Sequence, residues 1–192
     1  MRPAVAAFLP GAQARFLPPT KGSAEAAAGS DWVVGWSLGA WCLLSAASRG
    51  VAFRGRVVLL APFVAFCSEH GLGGRCSRTQ VRWLKRWMER APLEALGDFY
   101  QRAGLGEPPM AMPYAAADLL EGLEWLEADA SPELRRWCAN GLPPSWSALI
   151  GEADALLDAA AVSKALPGCQ SIPGLGHGFS GLLERFAAAG AP

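Results

Sequence analysis

Three stretches of this chain carry no charge and no polar alternation: Ala4-Val5-Ala6-Ala7-Phe8-Leu9, Trp32-Val33-Val34-Gly35-Trp36 and Val57-Val58-Leu59-Leu60-Ala61. A strand with one face in water alternates apolar and polar residues, whereas a strand covered on both faces reads as a continuous apolar run. The first run stops at Pro10-Gly11 and the third at Pro62. Between the second and third lies residues 38–48, of helical composition, closed by Arg49-Gly50. Apolar strands separated by helices are what a parallel sheet needs if it is to be covered on both sides. The expected fold class is therefore α/β, a mostly parallel sheet with helices on both faces.

The pattern changes in the middle of the chain. From about Cys67 to Asn140 the apolar runs give way to charged, Trp-containing helical segments at 77–91, 93–103, 114–128 and 132–139. Strand-like sequence returns at Trp146-Ser147-Ala148-Leu149-Ile150 and near 169–172, and a last helix over 179–189 closes the chain. Residues 15–17 read as a short strand and 22–29 as a short helix. The expected organisation is a core of residues 1–66 and 141–192 carrying a helical lid insertion over 67–140.

Composition narrows the function classes. At 192 residues, with 52% apolar and 18% charged residues, the chain suits one globular domain rather than a disordered segment. A formal net charge of zero argues against a general nucleic-acid or membrane-surface binder. The five cysteines (Cys42, Cys67, Cys76, Cys138, Cys169) form no CxxC pair and have no histidine cluster beside them, so no zinc site or disulfide framework is expected. They read as reduced, mostly buried thiols of a cytoplasmic protein; a monomer without metal or cofactor is the separate expectation. The apolar run at 4–9 is too short for a signal core, and the uncharged run at 32–48 is short for a membrane span.

Gly35-Trp36-Ser37-Leu38-Gly39 carries the chemistry. G-x-S-x-G alone is modest evidence in a chain with 22 glycines, but here it follows an apolar strand and opens a helix. In such a strand-to-helix elbow the serine takes strained backbone angles, and small residues two before and two after it are expected to relieve crowding. Ser37 is then a candidate nucleophile, and the Leu38 N–H, at a helix N-terminus, a candidate oxyanion donor. A serine needs a base within hydrogen-bond reach. His177, in the loop Pro173-Gly174-Leu175-Gly176-His177-Gly178, has the right place in the order serine, acid, histidine; His70 reads as a surface-loop residue.

The acid should follow the penultimate strand, where Asp154 stands 23 residues before His177. Asp158 and Glu152 are rivals, and Asp154 can also be read as the cap of a helix starting there. The second oxyanion donor is assigned to the Ala12 N–H, in the turn after the first apolar run. Trp36 either shapes a substrate pocket or belongs to the core.

Val34 to Ala40, Gly151-Glu152-Ala153-Asp154-Ala155-Leu156 and Gly174 to Gly178, in that order around a helical segment, resemble the α/β-hydrolase superfamily, and within it the pimeloyl-acyl-carrier-protein methyl ester esterases of biotin synthesis. Asp118-Leu119-Leu120-Glu121-Gly122-Leu123-Glu124-Trp125-Leu126 is similar to that family's lid segment before the return to the core. The resemblance covers about residues 30–186. It implies hydrolysis of the methyl ester of a pimeloyl chain on acyl carrier protein, through an acyl-enzyme, with no cofactor. It also implies that lid arginines grip the acidic carrier. Arg78, Arg82, Arg86 and Arg90 recur every fourth residue and form one helical stripe, which fits that role or that of an ordinary solvated face. Trp83 and Trp87 form a neighbouring stripe expected to face an acyl channel or the lid's own packing.

The sequence departs from that family before the elbow. Gly11 and Ser37 are only 26 positions apart, room for one crossover helix, and the family's leading strands are missing. Pro10-Gly11-Ala12-Gln13 stands in place of the usual His-Gly-Trp-Gly type of loop. A general small-molecule esterase or thioesterase, and a catalytically inactive binding module, are the other readings left open.

Overall fold

The computed structural model describes residues 2–112 and 114–190. Along the chain come α1 (Arg2–Phe8), α2 (Ser23–Ala27), β1 (Trp32–Trp36), α3 (Leu38–Ser48), β2 (Arg56–Leu60), β3 (Ala65–Cys67) and β4 (Gly73–Cys76). Four helices follow: α4 (Arg78–Arg90), α5 (Pro92–Arg102), α6 (Ala116–Glu127) and α7 (Pro132–Ala139). The chain then returns through β5 (Trp146–Gly151), α8 (Ala159–Ala165), β6 (Cys169–Ile172) and α9 (Phe179–Ala188).

The main sheet is parallel throughout, in the order β1-β2-β5-β6. The continuous apolar reading of residues 57–60 has a direct cause. β2 sits between two strands, and Val57, Val58, Leu59 and Leu60 are at most 1% exposed. Side chains alternate across the sheet, so both faces of this strand are covered by helices. Parallel register also fixes where the strand ends lie. Trp36 pairs with Leu60, and the Ser37 N–H donates to the Leu60 carbonyl at 2.8 Å. The Ala61 N–H donates in turn to the Leu149 carbonyl at 2.8 Å. The C-terminal ends of β1, β2 and β5 therefore form one edge, where ligands of open α/β sheets are bound.

Two expectations about the first 20 residues are corrected. Residues 4–9 do not form a strand; most of them lie in helix α1. Periodicity cannot separate a short buried strand from a buried helix, and three alanines in this run favour the helix. Phe8 packs edge-on against Trp32 and Phe186, at ring distances of 5.3 and 5.6 Å, so α1 docks on α9 and on the start of β1. Residues 15–17, expected as a strand, have no regular structure.

The helical stretch begins only at Arg78. Before it, β3 and β4 form a separate two-stranded parallel sheet that the composition did not announce. Gly73 and Gly74 make β4 unrecognisable as a strand, since both lack the side chain that strand patterns are read from. Helix α4 starts with a capping box: Ser77 Oγ accepts from the Gln80 N–H, and Gln80 Oε1 accepts from the Ser77 N–H. Helix α8 begins later than the start offered at Asp154, and its N-cap is Asp158.

Candidate active site

Ser37 joins β1 to α3 with φ 52° and ψ −119°, a conformation that non-glycine residues adopt only when the surroundings enforce it. The enforcement is visible at Gly35. A Cβ there would lie 2.7 Å from Leu43 Cδ1 and 2.8 Å from the Ala40 Cα, so only glycine lets α3 fold back this tightly on β1. Gly39 differs from the expectation: a Cβ there would meet nothing within 4 Å. Only the first glycine of the motif is demanded by contacts within the chain.

The strand ends bring three distant side chains together. Ser37 Oγ is 2.9 Å from His177 Nε2, and His177 Nδ1 is 2.7 Å from Asp154 Oδ2. Asp154 is fully buried and His177 is 1% exposed, while Ser37 remains partly accessible. An ionised carboxylate can only accept, so the imidazole proton resides on Nδ1 and Nε2 is left to accept from the serine hydroxyl. The other carboxylate oxygen, Asp154 Oδ1, accepts from the N–H groups of Leu156 and Leu157 at 2.8 and 3.0 Å. Three N–H donors thus converge on one buried carboxylate and fix its plane.

Local geometry explains why Asp154 and His177 meet. The Glu152 N–H donates to the Ile172 carbonyl and the Ala153 N–H to the Leu175 carbonyl, tying the loop after β5 to the loop after β6. The approach is close: a Cβ on Gly151 would fall 2.1 Å from the Leu175 carbonyl oxygen. Of the rival acids, Asp158 is engaged elsewhere, its Oδ1 accepting from the Ala161 N–H at 2.9 Å as the N-cap of α8. The reading of Asp154 as a helix cap is corrected: α8 starts at Ala159 with Asp158 as its N-cap, and the Asp154 carboxylate instead accepts from two N–H groups of the turn before it.

Leu38 opens α3, and the first helical bond runs from the Trp41 N–H to the Ser37 carbonyl. The Leu38 N–H therefore precedes the hydrogen-bonded ladder and is oriented by the helix start. Ala12 is a correction. Its N–H donates to the Leu9 carbonyl at 3.2 Å, closing the end of α1. That helix is anchored on Trp32, the first residue of β1, whereas Ser37 follows the last. With residues 4–9 folded as helix, the turn after them is not the loop after a core strand, and the reason for choosing Ala12 disappears.

Trp36 is tied to the base loop, its Nε1 donating to the His177 carbonyl at 2.8 Å. His70, expected on the surface, is a nearly covered side chain with Nε2 3.1 Å from Asp129 and 3.3 Å from Arg78. The arginine stripe divides into two halves. Arg78 pairs with Asp129, Arg82 with Glu127 at 2.6 Å and Lys85 with Glu124 at 2.6 Å, binding α4 to α6 and the residues after it. Arg86 and Arg90 form no ion pair among the described residues. Together with Trp83 and Trp87 they line an open groove of about 380 Å³. The two indoles lie 4.7 Å apart, and Trp83 is 50% exposed with Arg102 over its ring. These tryptophans line a surface groove rather than an enclosed channel.

The signals missed by sequence reading were the N–H groups of Leu156 and Leu157, which no residue type encodes. Among the described residues no cluster of three metal-ligating side chains occurs, and no helix is long and apolar enough to cross a membrane.

The chain belongs to the alpha/beta hydrolase family, whose model matches residues 4–189. It is similar in structure to an esterase from Exiguobacterium antarcticum, at 16% identity and a TM-score of 0.65, over 81% of this chain and 63% of that one. It is also similar to the N-acyl homoserine lactonase AidH complexed with N-butanoyl homoserine, at 20% identity and a TM-score of 0.56, over 84% of this chain and 61% of that one. At these identities the likeness is one of fold, and the chain spans less than two thirds of either structure's length. No curated protein sequence matches it.

Proposed function

We propose that this member of the alpha/beta hydrolase family is a serine carboxylic ester hydrolase. The observation that carries the reading is the unbroken hydrogen-bonded line from Ser37 Oγ through His177 to the buried Asp154 carboxylate, on a strained elbow. Ser37 Oγ attacks the ester carbonyl carbon while His177 Nε2 takes its proton. The Leu38 N–H stabilises the oxyanion. The imidazolium then protonates the departing alkoxide, leaving an acyl-enzyme on Ser37. Water, deprotonated by His177, attacks that ester, and its collapse frees the carboxylic acid and restores the serine. Asp154 holds the imidazole orientation and stabilises its cation throughout.

The finer reading is that the substrate is the methyl ester of a pimeloyl chain on acyl carrier protein, with methanol as the first product, in the cytoplasm. It rests on the resemblance of the three motifs and on the Arg86 and Arg90 groove, whose open positive charge suits an acidic carrier. A general esterase is the second reading, favoured by the neutralisation of Arg78 and Arg82 by lid carboxylates.

The test has two stages. Turnover of a short p-nitrophenyl ester by the wild type and not by Ser37→Ala supports the chemistry. Growth of a biotin-requiring bacterium lacking its pimeloyl-ester esterase, with the wild type only, supports the substrate. Ester turnover without rescue leaves the general esterase; no turnover by soluble protein removes the hydrolase reading.

A further inference from the structure

The geometry points to Arg75 as a positioning residue for the acid of the triad, an inference that rests on the hydrolase reading above. By sequence Arg75 belongs with the basic cluster that precedes and enters α4. In the fold it is separated from that cluster, because it lies on β4, which runs alongside the loop after β5. The backbone contacts are specific: the Arg75 N–H donates to the Leu156 carbonyl at 2.9 Å, and the Asp158 N–H donates to the Gly73 carbonyl at 2.7 Å. Gly74 forms an antiparallel bridge with Leu157 between them.

The side chain adds a second grip on the same loop. Arg75 Nη1 donates to the main-chain carbonyl of Asp154 at 3.0 Å, and Nη2 lies 3.8 Å from Asp158 Oδ2. One guanidinium therefore spans the turn from Asp154, whose carboxylate holds His177, to Asp158, whose carboxylate caps α8. Leu156 and Leu157 sit inside that span and supply the two N–H groups to Asp154 Oδ1. Every donor that fixes the Asp154 carboxylate apart from His177 thus belongs to the turn that Arg75 clamps. A planar fork reaches two acceptors in a way a single ammonium does not. Among the described residues no hydrogen bond or ion pair joins Arg75 to Ser37 or His177, so it acts through Asp154 and is a positioning residue. If the turn relaxes, the carboxylate leaves the line of the imidazole, and displacement of a catalytic group by about 1 Å costs on the order of a hundredfold in rate.

The experiment compares wild type, Arg75→Met and Arg75→Lys in three readouts. These are kcat and KM on a short p-nitrophenyl ester, the pH profile of kcat/KM, and the far-downfield proton resonance of the His177 Nδ1–H bonded to Asp154. Arg75→Met should lose roughly ten- to a hundredfold in kcat with KM little changed. The acid limb of its pH profile should move, and the His177 resonance should shift or broaden. Arg75→Lys should fall between Met and wild type, since it restores one donor but not the fork. Wild-type kcat and an unmoved resonance in Arg75→Met overturn the inference, even if that variant melts at a lower temperature. If Arg75→Met does not fold, the same two observations on Arg75→Lys overturn it. If the wild type and Ser37→Ala are equally inactive, the hydrolase reading falls, and the resonance alone still decides whether Arg75 positions Asp154.

Discussion

The indole N–H of Trp36 donates to the main-chain carbonyl of His177 at 2.8 Å, so the residue before Ser37 holds the backbone of His177. The ring also lies 5.7 Å from the imidazole and packs edge-on against Phe179 at 6.1 Å. The segments carrying Ser37 and His177 are thereby joined by a second contact beside the Ser37 to His177 hydrogen bond. Trp36→Phe keeps most of the packing and removes the donor. A net hydrogen-bond contribution of about 1 kcal/mol corresponds to roughly a fivefold fall in kcat/KM. Steady-state kinetics on a small ester measure it, and an unchanged value would show that the base loop holds its place without Trp36.

In the proposed mechanism Ser37, His177 and Asp154 act as a unit, so their single losses should not add. Ser37→Ala, His177→Ala and the double variant are expected to reach the same residual rate, on the order of a thousandfold or more below wild type. Asp154→Asn should keep the fold but leave the imidazole in the wrong tautomer, with a loss on the order of ten-thousandfold in kcat. Single-turnover measurements with a chromogenic ester would reveal additivity, which would contradict a shared mechanism.

Asp154 and Asp158 are separated by only four positions yet should fail differently. Asp158→Ala removes an N-cap and one acceptor of the Arg75 fork, so it is expected to cost about 1 kcal/mol of stability and to lower kcat only partially, by less than Arg75→Met. Asp154→Ala should abolish turnover. Chemical denaturation alongside kinetics separates the two, and a reversed pattern would exchange their roles.

The two halves of the arginine stripe should respond to different assays. Arg82→Ala breaks an exposed pair with Glu127 and is expected to change stability by no more than about 1 kcal/mol. Arg86→Glu with Arg90→Glu places negative charge in the open groove. Turnover of a carrier-bound ester should then fall by a larger factor than turnover of the free ester. Equal factors for the two substrates would remove the groove from carrier recognition.

Burial pushes the thiols of Cys42, Cys138 and Cys169 up from the ordinary 9.0 to about 12. Little thiolate exists at neutral pH, so these three should resist alkylation in the native protein and react in denaturant. The sign of the linked pH effect follows. Above pH 9 the unfolded chain releases these protons while the folded chain keeps them, so stability is intact below about 9 and declines as pH rises toward 12. Urea midpoints measured between pH 8 and 10.5 test this, and a flat profile would contradict it.

Much of the site was legible before any coordinates. Motif and chain order single out Ser37, Asp154 and His177 as candidates, since an elbow demands a strand, a small residue and a helix in immediate succession and the acid and histidine follow it in order. The uncharged run at 57–60 announced a strand covered on both faces, and the fourfold spacing of the arginines announced a helix. Short apolar segments such as 4–9 were not decidable, since helix and strand bury them equally well. The Ala12 assignment failed with that segment.

Local sequence determined the strands of the main sheet, the longer helices, where the elbow lies, and which side chains can do acid, base and nucleophile work, because those depend on residue type and spacing. Tertiary structure decided the rest. It chose which N–H groups reach the Asp154 carboxylate, set Trp36 on the base loop, detached Arg75 from its neighbours, and paired Arg78 and Arg82 with carboxylates some 45 to 51 positions away. Backbone donors look alike in every sequence, and a charge's partner is fixed only when the chain is folded. Contacts between distant segments therefore remain invisible until the strands are in register.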